Sequence, residues 1–214
     1  MIKIFIESGV NAAQKKGSKR TTNEQNFVET LVAHYFPHAV LGTDYLVVGV
    51  NGKDQLPNTQ PVFVDNTLQG GTNLVLFDAD TRENGGGFAI RKRKLLQQKE
   101  ELGIEFDLFL WPNNHADGDF ESLLMHLINP RHKGLIDCYR RYEKGISRMN
   151  RSHKMYMTQG RKGCIYSYIA AMKKNHTAQT EFSHGFWFFD NPEYWNLTSE
   201  WVFPLVAFLR QHFH

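Results

Sequence analysis

Four short apolar runs constrain the fold of this chain more than any other feature. They are "IKIFI" (2–6), "YLVVGV" (45–50), "NLVLF" (73–77) and "FDLFLW" (106–111). Each is rich in β-branched and aromatic residues and barely alternates in polarity. Such runs suit strands buried on both faces. Between them lie longer stretches with helical spacing. "TTNEQNFVETLVAHYF" places Thr22 three residues before Gln25, a capping-box pattern, and then Phe27, Val28, Leu31, Val32 and Tyr35 on one side. "GFAIRKRKLLQQKEELG" (87–103) reads as a helix stopped by Gly103, and "DFESLLMHLI" (119–128) as another. "ESGVNAAQKKGSKR" is a polar, basic loop, and 51–60 is rich in turn residues. Strands alternating with helices predict an α/β fold whose mostly parallel sheet is covered on both faces.

The pattern changes beyond Pro130. "HKGLIDCYRRYEKGI" and "GCIYSYIAAMKK" read as basic helices, "FSHGFWFFDNPEYW" is aromatic without a clear period, and "SEWVFPLVAFLRQHF" reads as a last helix with Pro204 near its start or at a kink. The expected organisation is an α/β domain over 1–129 and a helical, basic and aromatic extension over 130–214 packed on it. No apolar run reaches the ~20 residues of a membrane span. "MIKIFIESGV" lacks the form of a secretion signal, and Cys138 and Cys164 are too few for a disulfide framework. A cytoplasmic protein without a membrane partner is expected.

Charge is segregated. Residues 130–174 hold twelve Lys or Arg against Asp137 and Glu143, a local charge of +10, which leaves the rest of the chain at −7. A carboxylate site beside a cationic binding surface has this distribution, and so does a solvated helical face. Arg140, Arg141, Lys144 and Arg148 recur at three- to four-residue spacing and are the candidate nucleic-acid contacts. Tyr139, Tyr142, Tyr156, Tyr166 and Tyr168 could stack bases among them, or simply pack helices.

The acidic residues fall where strands end. Glu7 follows the first strand, Asp78 and Asp80 close the third, and Asp117, Asp119 and Glu121 follow the fourth. In open parallel sheets that edge is the functional one. Clustered carboxylates repel one another, and a hard divalent cation relieves the repulsion. Oxygen-only donors favour Mg²⁺, Mn²⁺ or Ca²⁺ over zinc. In an extended chain the Asp78 and Asp80 side chains would lie on one side and face one ion. Alternatively, Asp80 caps a turn near Gly85–Gly87 while Asp78 is ion-paired. His115 could touch a phosphate or metal, or be an ordinary loop histidine. No Gly-x-x-x-x-Gly-Lys-Ser/Thr occurs, so the chain has no phosphate loop of that ATPase type, and a protein partner could supply ATPase or targeting function.

"IFIESGVNA", "LVLFDADTREN" and "DGDFESLL" together resemble the Toprim domain of topoisomerases, primases, recombination mediators and the overcoming-lysogenization-defect nucleases. The resemblance spans about residues 1–128. Its third piece is closest to the nuclease branch, and the aromatic C-terminal part resembles small bacterial Toprim-like proteins of unknown function. It implies a Toprim- or Rossmann-like sheet and Mg²⁺ or Mn²⁺ as cofactor. Glu7 would be general base or metal ligand, Asp78 and Asp80 catalytic metal ligands, and Asp119 and Glu121 further ligands, with Glu121 serving a second metal. The chain departs from the family pattern at Ser8, which precedes Gly9, at Asn11, where an acidic residue is frequent, and at Glu83, three residues past Asp80.

Three functions remain open on these residues. The first is Mg²⁺-dependent, nuclease-like phosphodiester chemistry on nucleic acid. The second is a phosphatase of the haloacid-dehalogenase type, which "LFDAD" also resembles, with Asp78 as nucleophile; there the motif belongs on the first strand, with Thr where this chain has Arg82. The third is a non-catalytic module that binds metal or nucleic acid in a defence or mobile-element system.

Overall fold

The computed structural model describes residues 1–9, 22–151 and 155–213. The basic loop after Gly9, Asn11 within it, and Lys154 lie outside the described residues.

The four apolar runs form four strands: β1 (Ile2–Ile6), β2 (Tyr45–Gly49), β3 (Thr72–Asp78) and β4 (Asp107–Trp111). All pair in parallel, in the order β2-β1-β3-β4. Parallel neighbours need crossovers, and helices supply them: α1 (Asn23–Tyr35), α2 (Gln60–Leu68) and α3 (Phe88–Leu102). The fold is α/β with an all-parallel sheet, as the alternation of periods predicts. Among the helices that cross over between strands, α2 is the one that the sequence conceals. It is short, and its Val62 and Val64 are exposed while Asn66 is buried, so the apolar pattern is scrambled.

Side-chain alternation sorts the two faces of the sheet. Phe5, Val75, Phe77 and Leu110 pack with Leu56, Phe63, Leu95 and Phe106 in one core. On the opposite face, Phe27 of α1 meets Trp111 edge-on at 6.0 Å, and Phe109 lies 5.6 Å from Phe208. Phe208 belongs to α8 (Phe203–Leu209), which has Pro204 in its first turn, where a missing N–H costs nothing.

The chain divides into two compact units, Met1–Leu123 with Glu200–His214, and Leu124–Ser199. The division falls within α4 (Phe120–Leu127), and the last helix belongs with the sheet rather than with the extension. The second unit holds α5 (Lys133–Met149), α6 (Gly160–Ala171) and α7 (His176–Ser183). Its aromatic stretch is irregular but buried: the Tyr168 hydroxyl donates to the Tyr194 carbonyl at 2.6 Å, and Trp195 Nε1 donates to the Trp187 carbonyl at 2.7 Å. Among the described residues no helix is long and apolar enough to cross a membrane.

Candidate functional site

The strand order places the switch point. From β1 the chain steps outward to β2, then returns to the other side of β1 and steps outward again through β3 and β4. The two loops leaving β1 and β3 therefore run in opposite directions, and a crevice opens between them at the carboxyl ends. Glu7 is the first residue past β1, and Asp78 is the last of β3. Both predicted carboxylates thus stand at the crevice.

Glu7 is tied across it. Its Oε2 accepts the Asp78 backbone N–H at 3.3 Å and lies 3.5 Å from Arg91 Nη2. Burial raises its pKa; Arg91 opposes that rise and the Asp80 charge adds to it. The following Ser8–Gly9 turn is held close to the β2 end, where a Cβ on Gly9 would meet Asn51 Oδ1.

Asp78 is more deeply enclosed. Its pKa is pushed well up by burial, then by the negative charges of Glu24 and Glu7, with Glu121 adding to them. One oxygen, Oδ1, accepts the Phe120 N–H at 2.8 Å, which places the carboxylate at the N-terminus of α4. Asp119 caps the same helix: its Oδ1 accepts the Ser122 N–H at 2.7 Å and the Ser122 hydroxyl at 2.5 Å. Glu121, in the first turn of α4, acts on Asp78 through its charge.

Asp80 does not continue the strand. Its φ is 61°, and its carbonyl accepts the Gly118 N–H at 2.8 Å. The chain turns after Asp78, and Ala79 is fully buried. The one-sided presentation expected of an extended Asp-x-Asp is therefore absent. Asp78 is acted on by Glu24 and Glu121, whereas Asp80 Oδ2 is 3.7 Å from Lys53 Nζ. Glu7 acts electrostatically with both aspartates and links the two halves of the site.

The glycines shape this turn rather than cradle a ligand. The N–H groups of Gly85, Gly86 and Gly87 donate to the carbonyls of Arg82, Thr81 and Ala79. Gly87 has φ 106°, and a Cβ there would lie 3.3 Å from the Asp117 carboxylate. That close approach lets Asp117 Oδ1 accept the Phe88 N–H at 2.8 Å and cap α3. His115 is an exposed loop residue whose Nδ1 lies 3.2 Å from the Asn113 carbonyl.

Three participants escape the sequence reading. Glu24 is buried on α1; its Oε1 accepts the Trp111 indole N–H at 2.8 Å and its Oε2 the Ser8 N–H at 3.0 Å. Burial pushes its pKa up to about 7 against those hydrogen bonds. An acidic residue in a first helical turn reads as a dipole partner, so nothing local marks Glu24 as buried. Arg91 hides in the basic run "RKRK", although it shares the inward stripe of Phe88, Leu95 and Leu102. Lys53 lies in a turn and carries no pattern at all.

Glu7, Glu24, Asp78, Asp80 and Glu121 thus outnumber Arg91 and Lys53. Among the described residues, however, no three acidic, histidine or cysteine side chains gather in an arrangement that could by itself hold a metal. This is no closed cage of the zinc or calcium kind. Mg²⁺ has different needs, since it keeps several waters and takes one or two carboxylates together with substrate phosphate. The Glu7–Asp78 pair fits that demand.

In the second unit, Arg140, Arg141, Lys144 and Arg148 are all exposed on α5. At about 100° per residue they fall within roughly a 100° arc. Arg140 is 3.6 Å from Asp137, and Arg141 Nη2 donates to Cys138 Sγ at 3.0 Å. The tyrosines do not interleave with these cations. Tyr139 and Tyr142 lie elsewhere on α5 and line, with Tyr166 of α6, a cavity of about 440 Å³. Tyr156 is exposed, and Tyr168 is core.

Compared with the models of known protein families, with curated proteins and with solved structures, the chain matches none.

Proposed function

We propose that the crevice between β1 and β3 binds Mg²⁺ or Mn²⁺ through Glu7 and Asp78, with Asp80 and Glu121 at its edges, and performs nuclease-like phosphodiester chemistry on nucleic acid. The observation that carries this is the Glu7–Asp78 contact at the switch point, inside an excess of buried negative charge. Such a site is short of positive charge, and a divalent cation supplies it. When bound, the ion would stabilise charge on the scissile phosphate and help provide hydroxide.

The chain's own residues do the rest. Glu7 is held at the crevice by the Asp78 N–H and Arg91, where it serves either as a metal ligand or as the base that takes a proton from the attacking water. Asp78 is fixed by the Phe120 N–H, so its free oxygen keeps one direction. Glu24 stands behind both, anchored by Trp111 and Ser8. The exposed cations of α5 offer contacts to the phosphate backbone of a nucleic acid.

A non-catalytic module is the second reading, and one observation favours it. Glu7 and Asp80 already have cationic partners, Arg91 and Lys53, and are in part neutralised without a metal. Incubation of the protein with DNA and with RNA in Mg²⁺ or Mn²⁺ separates the two. Nuclease chemistry requires cleavage that Asp78→Asn abolishes. Binding of metal or nucleic acid without cleavage supports the second reading, and neither binding nor cleavage removes both.

A further inference from the structure

Beside the carboxylate crevice, on the Asp80 side, lies a second cavity of about 220 Å³. Lys53, Arg91 and Lys94 line it, together with Asp80 and Gly86. Arg91 and Lys94 are one turn apart on α3, so their side chains rise on the same side of that helix. Lys53 reaches the cavity from the turn after β2, where its Nζ is 3.7 Å from Asp80.

Arg91 is the unusual member. It is 6% exposed. One terminal nitrogen, Nη2, contacts Glu7 at 3.5 Å and the Lys53 carbonyl at 3.3 Å, and the guanidinium carbon sits 5.7 Å from the Phe77 ring centroid. Nε has no hydrogen-bond partner. A buried guanidinium with an unused donor is costly unless a ligand or water completes it. These two hydrogen bonds are long, so both contacts are weak ones. Asp54 and Glu101 also line the cavity; they are exposed, as Lys53 and Lys94 are, so solvent and salt screen these four alike, and the buried Arg91 is the cation that is least screened.

We propose that Lys53, Arg91 and Lys94 form an anion subsite that takes one phosphate group of the substrate strand. This rests on the phosphodiester reading above. Two ammonium groups and a planar guanidinium offer donors in several directions, which matches a tetrahedral phosphate better than a flat carboxylate. The volume is below the ~300 Å³ at which small-molecule pockets begin, so a phosphate with its sugar fits rather than a whole base-paired segment. A phosphate seated there lies next to Asp80 and Glu7, which sets the neighbouring linkage at the carboxylate crevice.

The test titrates the isotope-labelled full chain with inorganic phosphate near neutral pH, without divalent ions, and follows the Arg91 Nε–H signal by NMR. A saturable shift is expected at Arg91 and at the Lys53 and Lys94 amides, while sodium acetate at equal ionic strength leaves them in place. Lys94→Gln, at an exposed position, should keep the fold and weaken phosphate at least about threefold. No saturable shift at Arg91, an equal response to acetate, or unchanged affinity in Lys94→Gln overturns the subsite. Phosphate binding here without any metal-dependent cleavage leaves the subsite standing and removes the nuclease reading; cleavage without phosphate at Arg91 does the reverse.

Discussion

The Glu7 carboxylate accepts the backbone N–H of Asp78 at 3.3 Å, across the gap where the strand order turns outward in both directions. One hydrogen bond thus closes the two strand ends onto each other and brings two acidic residues, 71 positions apart, into one crevice. Burial raises the pKa of both side chains, so holding them ionised costs folding free energy.

Asp78→Asn tests that cost. The amide oxygen can still accept the Phe120 N–H, but the buried charge is gone. Metal-free stability should rise by on the order of 1 kcal/mol, or roughly 2–4 °C in Tm for a chain of this size. Affinity for Mn²⁺ should fall at least about tenfold, a loss of roughly 1.4 kcal/mol. Calorimetry reads both, and unchanged Mn²⁺ affinity would remove Asp78 from the ligand set.

Glu24 sets a pH dependence. Its ordinary pKa is 4.5 and its folded value is about 7, so the folded state binds the proton more tightly. Its contribution is fully present below the unfolded pKa and is lost as pH rises through the folded one. Stability should therefore fall between about pH 4.5 and 7, by roughly 3 kcal/mol at most from this group. Glu7 and Asp78 slope the same way. Glu24→Gln should remove the Glu24 share of that slope, although one of the two donors from Trp111 and Ser8 loses its acceptor. Urea unfolding across this range checks it; a wild type that gains stability over the window contradicts the assignment.

The periods of the apolar runs carried the sheet, the main crossover helices and the placement of Glu7, Asp78 and Asp80 at strand ends. They carried nothing about α2, whose exposed Val62 and Val64 break its amphipathic pattern. They also misjudged local backbone. Thr22 does accept the Gln25 N–H at 3.2 Å, but the Gln25 side chain turns to Glu29 instead of completing the box. Asp-x-Asp implied one shared face until the turn at Asp80, with φ 61°, separated the pair. Glu24, Arg91 and Lys53 were illegible because burial of a charge depends on distant partners, Trp111 for Glu24 and Glu7 for Arg91, and sequence spacing does not encode those.

On α5, Arg141→Ala combined with Lys144→Ala should weaken binding to mixed-sequence DNA or RNA at low salt. Each lost phosphate contact reduces the slope of log affinity against log salt by roughly one. Both residues are exposed, so Tm should barely move. Filter binding across a salt series decides it, and an identical slope in the double mutant would make this arc a solvated face.

Gly87→Ala probes the turn beneath the site. Positive φ and the Asp117 carboxylate, 3.3 Å from the added methyl, both oppose it. A loss of roughly 1–3 kcal/mol is expected, with weakened capping of α3 at Phe88. Equal stability of variant and wild type in urea would show that the turn tolerates the change.

The most direct measurement is an anomalous difference map from crystals soaked in Mn²⁺. The predicted result is a peak bounded by the Glu7 and Asp78 carboxylates at the ends of β1 and β3, and its disappearance in Asp78→Asn crystals treated alike. No peak there, with Arg91 still on Glu7 and Lys53 still on Asp80, would contradict the metal site and the phosphodiester chemistry built on it.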